Sequence, residues 1–164
     1  DYNRRVRQPG GFYLPNGPRT GKFETEKHGS KAIFSVTKTT KHKLADDEYM
    51  MTTIRSHDQF NTTIYGFEDR YRGVHGERRV IFMNQKDIQL AGLKPGDRVD
   101  LFNHQGGIER LARLFVVVPY NIPERNTATY YPETNVLVPI DTVARESNTP
   151  ASKLVFIKIK KHIG

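Results

Sequence analysis

Apolar residues in this chain recur in short runs with a period of two, while long stretches at helical spacing are missing. The pattern predicts strands over residues 32–36 (AIFSV), 50–55, 79–83, 97–103, 108–118 and 153–159. Within 97–103, Val99 and Leu101 fall on one side and Arg98 and Asp100 on the other. Gln105-Gly106-Gly107 turns the chain, so that 97–103 and 108–118 form a hairpin. A short helix is expected after Asn84. Asn84 can cap it, Asp87 follows three residues on, Ile88, Leu90 and Ala91 supply an apolar side, and Gly92 with Pro95-Gly96 stop it. Residues 119–132 read as a polar, aromatic loop, 135–138 as an apolar run, and 141–147 as a second short helix. Short strands, small helices and frequent turns predict a β-barrel with helical insertions.

The first thirty residues differ. Pro9-Gly10-Gly11, Pro15-Asn16-Gly17-Pro18 and Gly21 interrupt them too often for a helix or a long strand. Phe12, Tyr13, Leu14 and Phe23 are nevertheless apolar enough to dock. A free leader has no reason to carry such residues, which favours a connector from an upstream domain over a disordered leader. The expected organisation is a connector over 1–30 and a barrel domain over 31–164.

Composition narrows the chemistry. At 164 residues, 36% hydrophobic and 27% charged, the chain suits one ordinary domain. Cysteine is absent, which excludes disulfides, thiolate nucleophiles and cysteine-held metals, and fits a reducing cytoplasm. The net charge of +8 first suggests a nucleic-acid partner. Yet residues 1–43 carry 10 basic against 3 acidic side chains, and residues 44–157 carry 13 against 15. The basicity therefore sits at the ends, where Lys158, Lys160 and Lys161 add to it. A stand-alone barrel or regulator using those ends on nucleic acid is the alternative reading.

No catalytic constellation emerges. The six histidines share no metal-ligand spacing, and no nucleophile elbow, dinucleotide glycine motif or P-loop is present. One segment does stand out. Immediately after a predicted strand, residues 52–63 (TTIRSHDQFNTT) concentrate hydroxyl, amide, imidazole and guanidinium groups. Arg55 offers a planar fork suited to phosphate, and Thr, Gln and Asn suit the edge of a heterocycle. An exposed polar loop without a ligand is the plainer explanation. Residues 130–135 (YYPETN) form a second aromatic and polar loop, with a rim packed on the barrel as its alternative.

Four segments, in order, resemble the C-terminal dinucleotide-binding domain of molybdopterin oxidoreductases, especially formate dehydrogenase-like alpha subunits. Residues 21–25 (GKFET) and 29–34 (GSKAIF) resemble the lead-in from the preceding domain. Residues 51–62 (MTTIRSHDQFNT) resemble the first cofactor-contacting loop, and 84–100 (NQKDIQLAGLKPGDRVD) the helix and Gly-Asp turn of double-psi barrels. Residues 132–139 (PETNVLVP) through 150–153 (PASK) resemble the last cofactor loop and closing strand.

The resemblance implies a mainly β fold, a six-stranded double-psi β-barrel with short helical insertions. It implies bis(molybdopterin guanine dinucleotide) with molybdenum or tungsten, shared with upstream domains of the same polypeptide that supply the metal ligand. An electron-transfer subunit is the further partner it suggests. The parent would be a formate dehydrogenase-like oxidoreductase, and the isolated domain is not expected to be catalytic. By motif match, Arg55 would pair with a cofactor phosphate. Thr53, His57, Gln59, Asn61 and Thr62 would donate to phosphate or pterin groups, and Asn135 would bond a pterin. Gly96 and Asp97 would shape the turn and touch no ligand.

Overall fold

The computed structural model describes residues 2–12, 31–61 and 65–164, and its contacts group the chain into two units, Asp1–Lys41 and His42–Gly164. In the first unit a single helical turn, α1 (Tyr2–Arg5), precedes Pro9. The strand expected over 32–36 is not formed, and Ile33, Phe34 and Val36 are exposed. Such side chains favour extended backbone, but a strand also needs a neighbour to take its N–H and C=O groups. No described strand pairs with this segment. Residues 21–30, with Tyr13, Leu14 and Phe23, lie outside the described residues.

The second unit is a closed six-stranded barrel. Its strands are β1 (Glu48–Ile54), β2 (Val80–Met83), β3 (Arg98–Asn103), β4 (Arg110–Pro119), β5 (Asn126–Tyr130) and β6 (Val155–Lys161). They hydrogen-bond around the ring in the order β1-β5-β2-β4-β3-β6. β1/β5 and β2/β4 are parallel, and the other pairs are antiparallel. The β1–β2 link straddles β5, and the β4–β5 link straddles β2. Exchanging the first three strands with the last three maps the ring and all its pairings onto themselves. That pseudo-twofold order is the expected double-psi arrangement.

Alternation decides which side chains enter the core. Tyr49, Met51 and Thr53 of β1, Val99 and Leu101 of β3, and Val155 and Ile157 of β6 point inward. β2 is buried on both faces. Its Ile81 and Met83 join Ile88, Leu101 and Phe115, while Val80 and Phe82 join Val74, Ala128 and Tyr130. Each fully buried Val, Leu, Ile, Phe or Met among them contributes about 1.5–3 kcal/mol.

Asn84 caps α2 (Gln85–Leu90), accepting from the Lys86 N–H at 2.8 Å. Asp87 serves elsewhere: it is buried, and its carboxylate takes the Arg125 N–H at 2.7 Å, tying the helix to the approach to β5. Gly96 has φ 86, and Asp97 accepts from the Lys94 N–H at 3.0 Å, as the Gly-Asp turn predicts.

Within the barrel unit two further elements differ from expectation. β5 (NTATY) occupies what reads as a polar loop, yet Thr127 and Thr129 are fully buried between β1 and β2. Threonine reads as polar in a pattern but is β-branched, and its hydroxyl can be satisfied locally: Thr129 Oγ1 lies 2.7 Å from Thr134 Oγ1. Residues 141–147 form turns, not a helix. There Glu146 has φ 70, Asn148 has φ 53, and a bridge joins Val143 to Pro150. The apolar 135–138 run is a helical turn, Asn135–Leu137, that buries Leu137.

Candidate functional site

Strand direction brings the two long connections to the same end of the barrel. β1 and β5 are parallel and end there, whereas β2 and β6 run against them and begin there. The described residues 55–61 and 65–79 of the first connection and 131–154 of the second therefore cover this end. Backbone bonds tie the second connection to the end of β1: Tyr131 N–H donates to Ile54 O at 2.8 Å, and Thr53 N–H to Ser152 O at 3.1 Å. The second connection encloses a cleft of ≈ 570 Å³ lined by Tyr131, Asn135, Val138, Ile140, Thr149 and Ser152 among others.

Thr53 is the last inward residue of β1, and its carbonyl accepts from the Lys153 ammonium. Arg55 is exposed. Its carbonyl accepts from Arg72 Nη1 at 3.3 Å, but among the described residues nothing pairs with its guanidinium. The exposed His57 ring lies 3.8 Å from the Tyr71 ring and 3.6 Å from the Asp58 carboxylate. Asn61 is exposed, and Thr62 lies outside the described residues. Gln59 is buried, donating to Tyr131 O at 3.0 Å and accepting from Ser56 N–H at 3.2 Å. Asn135 lines the cleft with its side chain exposed. The fold thus sets Thr53 at the end of β1, and Arg55, His57 and Gln59 on the loop that follows it, beside the segment that carries Asn135.

Two buried charges, absent from the sequence-based expectations, hold these loops. Arg78, 5% exposed, pairs with Glu133 at 2.7 Å and donates to Ser56 Oγ and Gly66 O at 3.0 Å and to Tyr131 O at 2.8 Å. Asp69, 1% exposed, accepts from Tyr130 OH at 2.8 Å, His57 N–H at 3.2 Å and Arg72 at 2.5 Å, all on Oδ2. Its Oδ1 has no partner among the described residues. Burial pushes the Asp69 carboxyl up, but the bonds from Tyr130 and Arg72, with the arginine's charge, outweigh it and hold the group below the usual carboxylate range. Burial, then the bond to Asp69, pushes the Tyr130 phenol up. The visible signal for these two residues is the density of Tyr, Arg and acidic side chains in residues 65–79 just before an apolar strand.

The donor set suits a polar, anionic heterocycle. An unpaired guanidinium can meet phosphate, an amide and hydroxyls can meet ring edges, and the cleft's apolar wall can cover a ring face. Among the described residues no group of acids and histidines could hold a metal ion, and no helix is long and apolar enough to cross a membrane.

Residues 49–156 match the family model described as molydopterin dinucleotide binding domain. The chain is 49% identical over 165 residues to an uncharacterized oxidoreductase of Mycobacterium tuberculosis (strain H37Rv), covering 98% of this chain and 21% of that protein. It is 38% identical over 170 residues to protein YdeP of Escherichia coli K12, covering 98% of this chain and 22% of that protein. The chain therefore spans 21–22% of the length of these relatives.

Proposed function

The chain belongs to the molydopterin dinucleotide binding domain family, and from that premise we propose that it holds bis(molybdopterin guanine dinucleotide), with molybdenum or tungsten and shared with upstream domains, in a formate dehydrogenase-like oxidoreductase. The observation that carries this reading is the convergence of the described residues 55–61 and 65–79 with 131–154 over one barrel end, inside the family-matched segment, where 131–154 line the Asn135 cleft. The relatives named oxidoreductases support the class of parent enzyme. Family membership also disfavours the nucleic-acid reading of the basic ends.

When bound, the group supplies two-electron transfer at its metal. This chain's part is to grip and orient it. The Arg55 guanidinium would pair with phosphate, His57, Asn61 and Thr62 would donate beside it, and Asn135 would bond the pterin edge. Thr53 and Gln59, both buried, would act by fixing the loop backbone. Upstream domains of the same polypeptide would supply the metal ligand, and a separate subunit would carry electrons away.

Metal and guanine-nucleotide content of purified holoenzyme tests the assignment. A charge-assisted contact is worth about 1.5–3 kcal/mol, so Arg55→Ala is expected to weaken retention roughly ten- to hundredfold. Arg55→Lys should recover part of it, because a point charge cannot reproduce two parallel bonds. Full occupancy in Arg55→Ala would remove the first loop from the phosphate site.

A further inference from the structure

We propose that Arg78 is the positioning residue of the site: its guanidinium sets the loop carrying Arg55 and His57 against the loop carrying Asn135, and so fixes the grip on the dinucleotide. The proposal rests on the cofactor reading above.

An arginine offers five N–H donors in a rigid plane. In Arg78 all of them are used, on acceptors outside the strand ladders. Nε meets Glu133, Nη1 meets Ser56 Oγ and Gly66 O, and Nη2 meets Gln59 Oε1 at 3.3 Å and Tyr131 O at 2.8 Å. The plane lies near two tyrosine rings, 4.9 Å from the Tyr65 centroid and 5.3 Å from the Tyr130 centroid. Tyr130 continues the chain of contacts to Asp69, which holds the His57 N–H and Arg72, and Arg72 holds the Arg55 carbonyl.

Burying such a charge is a poor way to stabilise a barrel, since apolar packing does as well or better. What the fork does provide is a fixed spacing. Residues 55–59 are held through Ser56 and Gln59, residues 131–133 through Tyr131 and Glu133, and both by one rigid group. A lysine at this place would keep the charge and lose most of that geometry.

The test uses the holoenzyme with Arg78→Lys and with Glu133→Gln, the second being a milder change that removes only the charge facing Nε. Amide exchange is followed over 55–61 and 131–138, with 98–118 as an internal control. Guanine-nucleotide release is timed in each variant, in Arg55→Ala, and in the Arg55→Ala/Arg78→Lys double variant. Exchange at least tenfold faster in both loops, an unchanged control and several-fold faster release are expected. Because Arg78 sets the loop carrying Arg55, Arg78→Lys should speed release clearly less in the Arg55→Ala background than in wild type, whereas an independent structural role would multiply the two effects. Loops that exchange as in wild type, release that does not change, or fully multiplicative effects would each overturn the proposal. Should Arg78→Lys fail to fold, exchange and release in Glu133→Gln alone, and in Glu133→Gln with Arg55→Ala, decide by the same criteria. Failure of the cofactor reading shows separately, as full nucleotide retention in Arg55→Ala alone.

Discussion

Asp69 shows how one side chain can hold several segments. Its Oδ2 takes three donors from different parts of the chain, while Oδ1 is buried without a partner among the described residues. A carboxylate in that position depends heavily on each bond it has. Tyr130→Phe removes the phenol donor and leaves the ring in place. It should cost the chain about 1.5–3 kcal/mol, the usual worth of a hydrogen bond to a charged group. Denaturant unfolding of the 164-residue chain measures this, and a midpoint equal to wild type would show that the phenol bond contributes nothing. Gln59 makes the same point from the other side. By residue type it suits a ligand contact, but its amide is occupied by Tyr131, Ser56 and Arg78. Residue type reveals what a side chain is able to bond; only its surroundings decide whether it is still available.

Helix α2 shows how much a short element leans on its ends. Six residues cannot hold a helix in water by propensity alone. Asn84 therefore contributes twice: its oxygen caps Lys86 N–H, and its Nδ2 donates to Ile122 O at 2.7 Å. Asn84→Ala should lose both, about 1–2 kcal/mol, whereas Asn84→Ser should keep the cap and lose less. Thermal unfolding of both variants beside wild type separates the two bonds, and equal losses would assign the whole effect to the Ile122 contact. The cap and the Gly-Asp turn were legible in the sequence because each depends on residues within a few positions. β5 was not, because Thr127 and Thr129 are buried only by virtue of the strands on either side.

The whole barrel closes along the β3–β6 seam, where Lys161 meets Asp97 at 2.9 Å and His162 meets Asp100 at 3.0 Å. The Lys161 bond holds the Asp97 carboxyl below its usual range. Burial pushes Asp100 up, but His162 and the Leu114 N–H outweigh it, so Asp100 also lies low, as Asp69 does. A carboxyl with a lowered folded pKa stabilises the fold above its unfolded value, and that contribution is lost as pH falls through the folded value. Stability is therefore expected to be nearly level from about pH 7 to 5 and to fall steeply below roughly pH 4. Denaturant midpoints across that range check it, and a flat profile down to pH 2 would contradict it. By itself the sequence determined the alternating strands, the capped helix, the Gly-Asp turn and, through ordered segments, the family, because each is written in neighbouring residues. Tertiary structure alone decided that β5 is a central strand, that 32–36 pairs with no described strand and that 141–147 is not helical. It alone made Arg78 and Asp69 the supports of the site, because a buried charge is defined by groups distant in the chain, brought together only when strands of both halves interleave.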